Sequence, residues 1–299
     1  MNRRDFLQHF LGVAAGSYLA TTPMLARAQR HDHSPLIMGV FPRRNTKITY
    51  RMFWPMAAYL SAELGREVRL VTEKNFETFW ANVQNRKYDL VHFNQYHYVV
   101  AHEHYGYNAI LMNEEQGSST ICGSLIVRND SSIETISDLE GKNIIFGGGP
   151  RAMQSYIIPR WLLEQAGLSE DSYTTEFARN PPNAIFSTYN KQANAAGSGD
   201  AVMEMNVVQN RINISDLKFL AKSQPMTHLP WAVSDKLAAE LSDKIQGALS
   251  ALSIDSFGRH VLKRAELTGL RTAIDEDYDQ ARLIIRDVYG KDFGVSKLK

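Results

Sequence analysis

The sequence predicts an α/β protein of two lobes joined by a hinge, each lobe a mostly parallel sheet flanked by helices. Three observations lead there. The chain has 299 residues, a length that suggests roughly two domains. Its 44% hydrophobic and 22% charged residues are those of an ordinary globular protein. Short apolar runs alternate with helical stretches, and the alternation starts twice, which is how parallel sheets covered on both faces are written.

Before the first strand lies a stretch of a different kind. Asn2-Arg3-Arg4-Asp5-Phe6-Leu7 is followed by an apolar run to Ala20 and by Ala26-Arg27-Ala28. A charged start, a short apolar stretch and small residues at the end describe a secretory signal over residues 1–28. The paired arginines before Phe-Leu fit the twin-arginine type. The apolar stretch falls short of the ~20 residues that a membrane span needs. The mature chain is therefore expected in the periplasm.

The elements then follow in order. Leu36 to Val40 reads as a buried strand. Phe53, Met56, Ala57, Leu60 and Leu64 lie at helical spacing, and Gly65 stops the helix. Val68 to Val71 is a second strand, Phe76 to Val83 a helix, and Tyr88 to Phe93 a third strand. A helix from Tyr98 to His104 and a strand from Ala109 to Met112 complete the first run.

The second run opens with strand Ser124 to Val127 and a short helix, Ile133 to Leu139. Strand Asn143 to Phe146 ends in Gly147-Gly148-Gly149-Pro150 and leads into a helix from Arg151 to Ala166. A helix at Ala184 to Lys191 and strands at Ala201 to Met203 and Leu217 to Leu220 follow. After Pro225 the chain turns helical: Asp235 to Leu252, Ser256 to Ala265 and Asp275 to Val288. One lobe is thus expected over 35–121 plus 225–299, the other over 122–224, with two crossings between them.

Composition excludes several functions. Thirty-three basic residues against 32 acidic ones leave no global attraction to nucleic acid or anionic lipid. A single cysteine, Cys122, rules out an internal disulfide and any paired-cysteine zinc or redox motif. It reads either as a small buried hydrophobe or as a ligand for something soft. His97, His102 and His104 lie at spacings that do not converge on a metal. No nucleophile sits in a catalytic motif, so neither enzyme activity nor a cofactor is expected.

What remains is a binding site between the lobes. The glycine loop at 147–149 runs from a strand into a helix start, where free N–H groups and the helix dipole favour an anion. Arg151, Ala152, Met153, Gln154 and Ser155 would present those groups. Asn94, Gln95, Tyr96 and Tyr98, after the third strand, would supply side chains from the other lobe.

Four stretches resemble the periplasmic binding proteins for phosphonate, phosphite and phosphate that serve ATP-driven importers. They are Phe53 to Leu60 with Leu64-Gly65, Tyr88-Asp89-Leu90-Val91 through Tyr98 to His102, Ile133 to Lys142, and Phe146 to Gly167 with Leu168. The resemblance implies a hinged, non-enzymatic solute trap of the type II-like periplasmic-binding-protein fold, monomeric, closing on a small oxyanion or oxoacid for a transporter permease. It also implies departures. The family's hydroxyl cluster after the glycine loop has become largely Ala152-Met153-Gln154. A histidine, an acidic residue and a tyrosine of the family fall on Pro181, Asn194 and Phe76. Within the same superfamily a branch senses arsenite through a cysteine and signals to a membrane histidine kinase, and the position of Cys122 beside the first crossing fits it. Importer and sensor both stay open at this point.

Overall fold

The computed structural model describes residues 34–42 and 44–295. The expected leader, residues 1–28, lies outside the described residues. The chain builds β1 (Leu36–Val40), α1 (Thr46–Leu64), β2 (Val68–Thr72), α2 (Phe76–Gln84), β3 (Leu90–His92), α3 (Gln95–Tyr105) and β4 (Tyr107–Glu114). It crosses through β5 (Thr120–Ile121) into β6 (Gly123–Arg128), β7 (Asn143–Phe146), α4 (Ile158–Gln165), β8 (Thr174–Phe177), α5 (Pro181–Tyr189), β9 (Ala195–Gly199), α6 (Asn206–Gln209) and β10 (Leu217–Lys222). It returns through β11 (Met226–Thr227) to β12 (Pro230–Ser234), α7 (Ala239–Ala251), α8 (Ser256–Arg264), β13 (Gly269–Thr272) and α9 (Asp279–Tyr289).

Two sheets result, in the orders β13-β4-β12-β3-β1-β2 and β10-β6-β9-β7-β8, with β5 and β11 paired as a separate ribbon. The expected parallel strands are there: β1 pairs in parallel with β2 and β3, and β7 with β8 and β9. The remaining pairings are antiparallel, so the sheets are mixed rather than mostly parallel. The double crossing accounts for β6 and β12, though not for the antiparallel edge strand β13. Strands of βαβ units run toward the gap between the lobes, whereas β6 and β12 arrive from the crossings and must run away from it.

Helix α1 shows how residues set an element. Asn45 caps it by accepting from the Ile48 N–H. Met52, Phe53, Met56, Ala57 and Leu60 form its buried stripe, and Gly65 ends it at φ 59°. The helix begins two turns before the apolar spacing predicted, and Pro55 lies inside it. Proline forfeits one backbone bond. The stripe, packed against Leu36, Met38, Trp231 and Leu249, holds the helix across that gap.

Other expectations shift as well. The helix after the glycine loop starts as one π-turn, Met153–Ile157, before α4. The strand expected at 201–203 is a 3-10 turn, and the strand itself is Ala195–Gly199, all five residues buried. Five strands, β5, β8, β11, β12 and β13, lie where none was predicted. Among the described residues no helix is long and apolar enough to cross a membrane.

Candidate ligand-binding cleft

The carboxyl ends of β1 and β3 face those of β7 and β9, the place where open α/β sheets bind ligands. On the first lobe, Asn94 caps α3. Its side-chain oxygen accepts from the His97 backbone N–H at 2.8 Å and lies 2.9 Å from His97 Nδ1. That oxygen can only accept, so Nδ1 carries the ring proton and Nε2 keeps its lone pair. Asn94 Nδ2 donates to the Arg151 carbonyl at 3.3 Å, joining the two lobes. Burial pushes His97 down to about 3, and the Arg151 charge acts in the same direction. Phe76 stacks on the His97 ring at 5.2 Å, and Trp80 packs against it at 5.1 Å.

On the second lobe, β7 delivers the glycine loop. A Cβ on Gly147 would lie 2.6 Å from Pro181 Cα, so only glycine lets the loop pass beneath the start of α5. The Ala152 carbonyl then accepts from both Tyr156 and Ile157, at 2.9 and 3.1 Å. This double acceptance widens the first turn, and it leaves the N–H groups of Met153, Gln154 and Ser155 ahead of the first intrahelical bond. Tyr289, at the end of α9, donates to the Pro150 carbonyl, and Trp161 Nε1 donates to Asp287 at 3.4 Å. The lobes are therefore drawn together in this structure.

Two glutamines lie at the floor. Gln95 is fully enclosed; its Nε2 donates to the Thr227 carbonyl at 3.1 Å, and its Oε1 has no partner. Gln154 is 8% exposed, and neither polar atom of its carboxamide has a partner.

Of the residues predicted from sequence, Asn94, Gln95, Tyr96 and Arg151 through Ser155 stand at these facing ends. Phe76 lines the rim beside His97. Tyr98 does not: it is fully buried, and its hydroxyl bonds Asp275 at 2.6 Å within the first lobe. Helical spacing explains the error, since Tyr96 and Tyr98 point to different sides of α3. Asn194 is also elsewhere. It exchanges hydrogen bonds with Asn143 at the amino-terminal ends of β7 and β9, the far side from the gap. Pro181, the first residue of α5, packs against Gly147 of the glycine loop.

Cys122 lies between β5 and β6 and is buried. Its backbone exchanges bonds with Asp200, at 3.1 Å to the carboxylate and 2.9 Å from the Asp200 N–H. Burial, reinforced by the Asp200 charge, pushes the thiol up, so it stays protonated. Lys222 pairs with Asp200 at 2.7 Å. His97 falls within the 94–98 stretch expected to line the cleft, but no role of its own there was read from sequence. Its place at the third position after the Asn94 cap was the usable signal. Among the described residues, no group of three or more His, Cys, Asp or Glu could hold a metal ion.

Two mixed α/β lobes, paired crossings between them and two helix starts facing across the gap define a hinged solute-binding protein of the two-lobe periplasmic type. The chain belongs to the phosphonate ABC-transporter periplasmic substrate-binding protein family, which it matches over residues 38–278. That family consists of substrate-binding components of ABC transporters and places the protein in the periplasm. Solved structures agree on the fold. A binding-protein component of an ABC phosphonate transporter from Pseudomonas aeruginosa is 15% identical with TM-score 0.72, covering 85% of this chain and 86% of that one. PhnD1 from Prochlorococcus marinus, in complex with methylphosphonate, is 18% identical with TM-score 0.72, covering 84% and 97%. A chloride-bound protein from Xanthomonas citri is 15% identical with TM-score 0.76, covering 85% and 98%.

Proposed function

We propose that this protein captures a small oxyanion or oxoacid of the phosphonate class between its lobes and presents the closed complex to an ABC importer. The lobes are 35–121 with 225–299, and 122–224. The leader over 1–28 sends the chain through the twin-arginine route, and the mature protein acts as a monomer. The observation that carries the reading is the bond from Asn94 to the Arg151 carbonyl, which sets the helix start after the glycine loop opposite the start of α3. The two helix starts offer N–H groups to an anion, and Arg151 adds a positive charge whose field reaches Tyr96 and His97. Closure then changes the outer surface that a permease meets.

Thermal unfolding of the mature protein with phosphite, methylphosphonate, phosphate, arsenate or arsenite tests this. A bound ligand at 100 times its dissociation constant stabilises by about 2.7 kcal/mol. Stabilisation by a phosphorus oxyanion, equal in wild type and Cys122→Ser, is expected. Stabilisation by arsenite alone, lost in Cys122→Ser, would move the reading to a sensor for a histidine kinase. Silence of every ligand would sink it. Processing and export of a reporter fusion, with and without Arg3→Lys and Arg4→Lys, tests the leader.

A further inference from the structure

Each lobe carries a glutamine at the cleft floor whose carboxamide is enclosed and incompletely bonded. The hinge ribbon brings the two to one place. A Cβ on Gly199 would lie 3.4 Å from both Gln154 Cβ and Ile121 Cδ1, so Gln154 stands over the first crossing. Ile121 pairs with Met226 and Thr120 with Thr227, the residue that accepts from Gln95. Gln95 thus stands over the second crossing. Each leaves a buried carbonyl oxygen without a donor, and Gln154 leaves its NH₂ without an acceptor as well.

We infer that Gln95 and Gln154 select a ligand that itself carries an O–H, an oxoacid in its monoanionic or neutral form, over an aprotic oxyanion. The inference rests on the oxoacid reading above. An enclosed carboxamide oxygen can only accept. An aprotic oxyanion would set oxygen against oxygen there and leave both acceptors unpaired. A hydroxylated oxoacid donates to them and offers a bare oxygen to the Gln154 NH₂. Sites that hydrogen-bond a ligand hydroxyl reject analogues without one strongly, because their own polar groups are left stranded. The charges at the floor agree. Asp200 and Lys222 neutralise each other, His97 is uncharged, and Arg151 matches one negative charge rather than two.

Methylphosphonate and methanesulfonate make the test. As monoanions they share size, shape and charge, and only the first has an O–H. Calorimetric titration of the mature protein near pH 6 should give an affinity for methylphosphonate about 10- to 100-fold tighter. That affinity should fall as pH rises and the ligand sheds its second proton, while methanesulfonate stays flat. In Gln154→Met, checked for folding by its thermal transition, the preference should shrink to about threefold. Equal wild-type affinities, or methylphosphonate binding indifferent to pH, would overturn the inference and leave the phosphonate reading intact. Binding of arsenite, a neutral trihydroxy acid, with every phosphorus ligand silent would keep the inference and overturn that reading. If no oxoacid binds, both fall.

Discussion

His97 makes the fold sensitive to acid in a way that can be calculated. Its ring lies between Phe76 and Trp80, is 3% exposed, and is held down to about 3 from an ordinary value of 6.5. The native state therefore keeps the ring neutral where the unfolded chain protonates it. The contribution is complete above 6.5 and is lost progressively as pH falls from 6.5 toward 3. At pH 5 the unfolded ring is about 1.5 units below its own titration point. At about 1.4 kcal/mol per unit, native stability drops by about 2 kcal/mol from this group alone. Urea unfolding at pH 7 and pH 5, on wild type and His97→Phe, isolates it. Carboxylates elsewhere titrate alike in both proteins and cancel. Phenylalanine suits the aromatic surroundings, and Asn94 retains its bond to the backbone N–H. Wild type should lose about 2 kcal/mol more than the variant. Equal losses would refute the argument, as would an NMR titration placing the native ring near 6.

Four further outcomes are expected. Arg151→Met should weaken methylphosphonate binding by at least about tenfold in calorimetry, since a charge-assisted contact is removed. Gly147→Ala should lower stability by about 1–3 kcal/mol, read from the thermal midpoint, because its Cβ would press on the Pro181 backbone. The protonated, buried Cys122 should alkylate with iodoacetamide at pH 8 at least about tenfold more slowly than a free cysteine, followed by mass spectrometry. Trp231→Phe should cost about 1–3 kcal/mol in urea unfolding, because Trp231 Nε1 donates at 3.0 Å to Asn113, which is fully buried.

Much of this architecture is legible in the residues. Periodicity located β1, α2 and the C-terminal helices, and the chain's return near 224–225 falls just before β11. Strands lacking a strong apolar pattern were not legible. β12 opens with a proline, and Thr174–Phe177 is largely exposed, so neither shows the usual signature. Ala195–Gly199 is built of small residues that pack by fitting rather than by bulk: a Cβ on Gly197 would lie 2.3 Å from the Phe146 ring. In the cleft, sequence put the second helix start within two residues of Met153 but began α3 at Tyr98 instead of Gln95, and it did not show which side chains point inward. Tyr98 and Asn194 were misplaced because only the finished fold shows which face of α3, and which end of the second sheet, meets the gap.

The pairing of β5 with β11 has a mechanical consequence. Two independent linkers would let the lobes swivel and slide. Here the linkers are bonded to each other at Ile121–Met226 and Thr120–Thr227. A ribbon of this kind flexes across its flat face but resists shear, since a slip of one residue would turn every side chain to the wrong side. Opening is thereby confined to a single arc with one coordinate, the angle. A closure along that arc would bring Asn94 back to the Arg151 carbonyl without a search over orientations. A transporter that touched both outer faces would then meet surfaces differing only in that angle.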